Sequence, residues 1–108
     1  MKILHLSLKE KWYRKIESGE KKEEYREITP YWVKRLTDTD NFLDAKHIPF
    51  RHYDAVEFSL GYPKKENTSR RMTFEIASIG IGVGNTKWGA PTDKAVFIIK
   101  LGERTDDK

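Results

Sequence analysis

Gly19-Glu20-Lys21-Lys22-Glu23-Glu24-Tyr25-Arg26 places six charged side chains in eight residues. Just before it, from Lys9 onward, Trp12, Tyr13 and Ile16 lie close together on a helical period, with Lys11, Arg14, Lys15 and Glu17 around them. Ser18-Gly19 ends that helix, since glycine takes the left-handed C′ position without strain. The stretch from Lys21 to Ile28 then reads as a strand anchored only by Tyr25 and Ile28. Strands normally recruit β-branched and aromatic side chains. Lys, Glu and Arg in their places mean either an edge strand whose charges discourage pairing or a charged site. On a regular pleat Lys22, Glu24 and Arg26 share a face and Lys21 lies on the other. Lys21 therefore meets Glu24 only if the strand starts late or bulges after Gly19.

Outward from this segment the pattern is mostly β. Ile3 to Leu8 alternates, with Leu4, Leu6 and Leu8 on one face. Thr29-Pro30 reads as an N-cap with proline at the first helical position, opening a short second helix through Leu36. Residues 38–53 show no sustained period and are expected to be an ordered connection pinned by Phe42, Leu43, Ile48 and Phe50. Residues 54–62 alternate again through Val56, Phe58 and Leu60, and 70–79 continue through Met72, Phe74 and Ile76. Gly80, Gly82 and Gly84 break the pattern and lead into a loop. Residues 94–101, with Val96, Phe97, Ile98 and Ile99 at the centre, are apolar enough for a central strand. Strands outnumber helices and do not alternate with them, which argues against a parallel βαβ sheet. The expected fold is mainly β with two short helices, a mainly antiparallel β-barrel in one domain over residues 1–104, with 105–108 a frayed tail.

Composition narrows the function classes. The 108 residues suit one domain, and the absence of cysteine excludes disulfides, thiolate metal sites and cysteine nucleophiles. Net charge is +4, a balance that favours phosphate-bearing partners. Residues 1–35 carry ten Lys or Arg against six Asp or Glu, and residues 69–108 seven against five, whereas 36–68 carry four against six. The outer thirds are thus placed to merge into one basic patch. No apolar run approaches a membrane span and no signal peptide is evident, so a cytoplasmic protein without membrane association is expected. His5, His47 and His52 have no compact metal-ligand spacing, and Gly80-Ile81-Gly82-Val83-Gly84 lacks the dinucleotide-binding pattern; neither cofactor nor metal is expected.

The order strand, Trp-containing helix, Ser-Gly, charged strand resembles the ASCH family of the PUA-like group. Its signature runs Gly, any residue, Lys, two positions, Glu, any residue, Arg, and Gly19, Lys21, Glu24 and Arg26 fill it without a gap. Trp12 and Ile16 fall at its apolar helix positions, and the strands from Val56 and around Glu75 follow in the family's order. The resemblance implies a PUA-like barrel with a cleft between the first helix and the barrel mouth, faced by the charged residues. Its implied ligand is RNA or an RNA-derived modified nucleoside. Lys21 and Arg26 would contact phosphate, and Glu24 would accept from an exocyclic amine or fix Arg26.

The resemblance carries an enzymatic alternative. Some small prokaryotic ASCH proteins are amidohydrolases that deacetylate N4-acetylcytidine, using a Lys after the helix-ending Gly, a Thr three residues on and a Glu in a later strand. Lys21 and Glu75 correspond to the first and last, and Glu24 stands at the Thr position, a carboxylate where those enzymes have a hydroxyl. In this hydrolase reading, or a ribonuclease of the same fold, Lys21 acts as base with a lowered pKa and Glu75 positions or protonates the substrate. A protein-interaction adaptor is the third class. Beyond the signature, Lys64, Lys65, Arg70 and Arg71 form a basic hairpin that either grips a nucleic-acid backbone or is a solvated turn. Tyr62 and Trp88 either stack bases or fold back on the core. The sequence leaves oligomeric state and base preference open.

Overall fold

The structure is a computed structural model that describes residues 1–39 and 48–106. Phe42, Leu43 and His47 lie outside the described residues, as do the last two residues of the tail. In chain order the elements are β1 (Ile3–Leu8), α1 (Glu10–Glu17), β2 (Glu23–Arg26), α2 (Pro30–Leu36), β3 (Ala55–Leu60), β4 (Arg71–Val83) and β5 (Ala95–Arg104), with single 3₁₀ turns at Thr68–Arg70 and Thr86–Trp88. The strands form one curled five-stranded sheet, order β1-β3-β4-β5-β2, a half-barrel.

The alternating leucines of β1 point inward as their spacing predicts: Leu4, Leu6 and Leu8 are buried, as are Val56, Phe58 and Leu60 opposite them on β3. Met72 and Phe74 of β4 and Phe97 and Ile99 of β5 complete the concave core, and α1 and α2 cover it with Tyr13, Ile16, Val33 and Leu36. β5 is an interior strand, hydrogen-bonded to β4 on one side and to the edge strand β2 on the other. Phe97 is fully buried, with Phe50 at its edge 6.3 Å away between ring centroids. Truncating such a side chain to alanine costs about 3–5 kcal/mol.

One expectation is refined and a second corrected. The sheet is mainly antiparallel, as expected, but mixed: β1 pairs parallel with β3, Ile3 opposite Ala55 through Leu8 opposite Leu60. Parallel neighbours need a long crossover, and everything from α1 to the start of β3 supplies it. Alternation fixes which side chains face the core but not strand direction, which is why the sequence pattern left this undetermined. Second, β4 does not stop before the glycines but runs through Gly80 and Gly82 to Val83. Gly82 lies opposite Val96, and a Cβ there would come within 3.4 Å of Ile98 Cδ1, whereas a Cβ at Gly80 would meet nothing within 4 Å.

The caps behave as read. Thr29 Oγ1 accepts from Trp32 N–H at 3.3 Å ahead of Pro30. Gly19 adopts φ +86° after α1, its N–H bonding Ile16 O at 3.1 Å, while Lys21 N–H reaches Lys15 O at 2.9 Å. The start of the tail is tied down, with Thr105 N–H on Thr73 O at 2.8 Å and Asp106 paired with Arg104 at 2.7 Å. Among the described residues no helix is long and apolar enough to cross a membrane.

Candidate functional site

β2 begins only at Glu23, so the chain from Gly19 to Lys22 is free of the pleat. This late start folds Lys21 back onto the strand that follows. Its ammonium Nζ donates to Glu24 Oε1 at 2.9 Å, to Glu23 O at 2.7 Å and to Trp88 O at 2.8 Å. Three acceptors match its three N–H donors. Lys21 is 2% exposed and Glu24 5%, a degree of burial that ionised side chains tolerate only when paired and hydrogen-bonded. Burial pushes the Lys21 pKa down, opposed by the Glu24 charge and hydrogen bond, while Arg26 adds to the lowering.

The other Glu24 oxygen, Oε2, accepts from Arg26 Nη1. Glu24 and Arg26 pair with Ile99 and Phe97 of β5, both buried in the concave core, so the alternation of β2 aims one anion and one cation inward. Arg26 also donates from Nη1 to Tyr25 O at 2.8 Å and from Nη2 to Ser7 O at 3.2 Å, and its guanidinium lies 5.2 Å from the Trp32 ring centroid. Tyr25 points the opposite way and builds a second small core with Ala90 and Val96, against which Trp88 and Ile98 pack. Its Oη donates to Glu23 Oε1 at 2.8 Å and accepts Asn85 N–H at 3.0 Å.

Above these groups lies a cleft of about 160 Å³ lined by Trp12, Lys21, Glu24, Tyr25, Arg26, Trp88 and Gly89. Lys21 Nζ is 5.3 Å from the Trp12 ring centroid and 4.7 Å from that of Tyr25, and Lys11 Nζ lies 4.7 Å from Trp12. Gly89 has φ +100°, and a Cβ there would sit 2.9 Å from Trp12 Cζ2. Both the left-handed conformation and the close approach require glycine. The β4–β5 loop is thus clamped between α1 and β2 by Gly89 against Trp12 and by Trp88 O on Lys21.

Of the residues singled out in the sequence, the fold brings Lys21, Glu24, Arg26 and Trp88 together. It does not bring the others to them. Glu75 is exposed on β4, opposite Ala55, beside Gly102, and does not line this cleft. Lys64, Lys65 and Arg70 are exposed in the β3–β4 loop. Arg71 is a brace for that loop, pairing with Glu57 at 3.4 Å and donating to Pro63 O at 3.1 Å. Trp88 takes an intermediate course: it packs on the Tyr25 core yet still lines the cleft, while Tyr62 is 94% exposed. Sequence reasoning missed Trp12, Tyr25 and Gly89 as cleft residues. Trp12 reads as a core position, but Tyr13 and Ile16 take the core and Trp12 sits at the edge of their stripe. No group of three or more metal-ligating side chains occurs among the described residues.

The chain matches no protein-family model, no curated protein and no solved structure.

Proposed function

We propose that this is an ASCH-type, PUA-like module that binds RNA or an RNA-derived nucleoside by taking a single base into the Trp12–Trp88 cleft. The observation that carries the reading is the convergence of Lys21, Glu24 and Arg26 beneath aromatic walls. Pockets for drug-sized ligands run to ~300–1,000 Å³; a cleft of about 160 Å³ suits one flat ring system. Trp and Tyr rings offer stacking surface to any base. Glu24 keeps lone pairs beyond those used by Lys21 and Arg26 and can accept from an exocyclic amine. Arg26 spends three of its five N–H donors on protein acceptors, leaving Nε–H and one Nη2 N–H for a ligand.

Lys21 holds the site together in this reading and is not the phosphate ligand or general base expected of it, because all three of its donors are engaged. The hydrolase alternative wants Lys21 and Glu75 in one cleft, and Glu75 is not among the residues lining the Trp12–Trp88 cleft. A nucleobase role fits a cytoplasmic protein. The test is a titration of the common ribonucleosides and N4-acetylcytidine followed by tryptophan fluorescence and calorimetry. Saturable binding that Trp88→Ala weakens is expected. Release of acetate from N4-acetylcytidine would restore the hydrolase, and no binding of any nucleoside or short RNA would remove the reading.

A further inference from the structure

We infer that the ligand is a single-stranded oligonucleotide, with a second groove on the far side of Arg26 receiving the nucleotide next to the one in the cleft. This rests on the base-binding reading of the cleft. The groove, of about 410 Å³, runs between β1, α2 and the end of β3, and Arg26 lines it as well as the cleft. Arg26 is therefore common to both cavities, and a chain of two nucleotides bridging them would lay its linking phosphate beside this side chain.

The walls suit that occupant. Tyr31 is 58% exposed and Tyr62 94%, and with Trp32 they border the same groove. Single exposed aromatics are ordinary; three around one groove that continues a charged cleft form a stacking platform. Tyr31 stands edge-on to Trp32, centroids 4.9 Å apart at 90°, which fixes its ring. Arg35 lies 5.3 Å from the Tyr31 centroid and 5.9 Å from that of Trp32, placing a second guanidinium near the path. His5 is engaged by Glu57 at 3.0 Å, so the anion is left to Arg26 and Arg35. No carboxylate lines the groove. The larger cavity of about 650 Å³ elsewhere is built differently: its Arg71 and Arg104 are paired with Glu57 and Asp106, which line it too and repel an anion.

The test compares ribonucleosides, their 5′-monophosphates, ribodinucleotides and a short single-stranded RNA by calorimetry, on wild type and on Tyr31→Ala and Tyr62→Ala. Both tyrosines are exposed, so the variants are expected to fold. Dinucleotides should bind roughly ten-fold or more tighter than nucleosides. Each tyrosine variant should lose roughly 5- to 150-fold of dinucleotide affinity, the range of one base stacking on an aromatic ring, and keep wild-type nucleoside affinity. Monophosphates matching dinucleotides would assign the gain to the phosphate alone and overturn the groove. So would dinucleotides no tighter than nucleosides, or tyrosine variants without effect on them; the cleft reading would stand in each case. No binding of any probe would overturn both.

Discussion

Arg26 on β2 donates from Nη2 to the backbone carbonyl of Ser7 on β1 at 3.2 Å, and this side chain spans the two edge strands of the open half-barrel. No backbone pairing joins β1 to β2. The same guanidinium holds Glu24 and Tyr25 O, so one residue both closes the seam and walls the two cavities.

Arg26→Ala is accordingly expected to cost stability as well as binding. Breaking a buried ion pair costs ~3–5 kcal/mol, and the lower end, about 3 kcal/mol, applies here because Lys21 still neutralises Glu24. Arg26→Lys should recover only part of this, since an ammonium cannot replace a planar fork across several acceptors. Denaturant unfolding midpoints measure both. A wild-type midpoint for Arg26→Ala would mean that the seam does not depend on this residue.

Burial is the main cause that pushes the Tyr25 phenol up to about 12 from 10.0, with Glu23 adding to it and the Asn85 N–H opposing. Between those values the folded chain keeps a proton that the unfolded chain has given up, so the Tyr25 contribution to stability is complete below pH 10 and is lost as pH rises towards 12. Lys21 acts with the opposite sign: its pKa is lowered from 10.5, the unfolded chain holds the proton longer, and stability rises with pH between the lowered value and 10.5. Tyrosinate absorbance should show a late-titrating phase that shrinks in Tyr25→Phe, with a smaller stability loss in strong alkali. An unchanged late phase would place the perturbed phenol elsewhere.

Among the described residues Lys64, Lys65 and Arg70 have no ion-pair partner and stand apart from the cleft. Replacing all three by Gln should leave nucleoside affinity and melting temperature unchanged. If an RNA longer than two nucleotides reaches this loop, its log–log salt slope should flatten by about 0.7 for each phosphate the loop no longer neutralises. An identical slope in wild type and variant would show that the loop is only a solvated turn.

The β1 and β3 faces were legible because a period of two between core and solvent is written directly in Leu4-Leu6-Leu8 and Val56-Phe58-Leu60, whereas the apolar run Val96-Phe97-Ile98-Ile99 marked β5 as a strand without assigning its faces. Strand direction was not legible, since the parallel β1–β3 pair depends on where a long crossover returns the chain. Half of the site was legible too: Gly19, Lys21, Glu24 and Arg26 lie within eight residues, and the late start of β2 is the condition under which Lys21 and Glu24 meet. Trp88 was legible only as a loop aromatic, and Trp12, Tyr25 and Gly89 were not read as cleft residues; the Lys21 to Trp88 hydrogen bond spans 67 positions, and no local pattern encodes an interaction of that range. Glu75 was matched to the hydrolase Glu by order along the chain alone, and order does not say which residues the fold gathers into one cleft.

Glu24 is the one anion between two largely buried cations, with side-chain exposures of 1% for Lys21, 7% for Glu24 and 17% for Arg26. Glu24→Gln keeps the shape and removes the charge. Lys21 and Arg26 then repel each other, and the Lys21 pKa should fall further, because desolvation and Arg26 lower it while Glu24 supplied the main opposition. The variant should lose ~3–5 kcal/mol near neutral pH and regain part of it as pH rises and Lys21 sheds its proton, the unfolded chain being then the more protonated. Lys21→Met should cost less in the Glu24→Gln background than in wild type, which a double-mutant cycle reads as a coupling energy. Unfolding midpoints at neutral and alkaline pH supply all the measurements. Additive losses with a wild-type pH profile would mean that Lys21 is held by Glu23 O and Trp88 O alone and that the Glu24 carboxylate does not stabilise its charge.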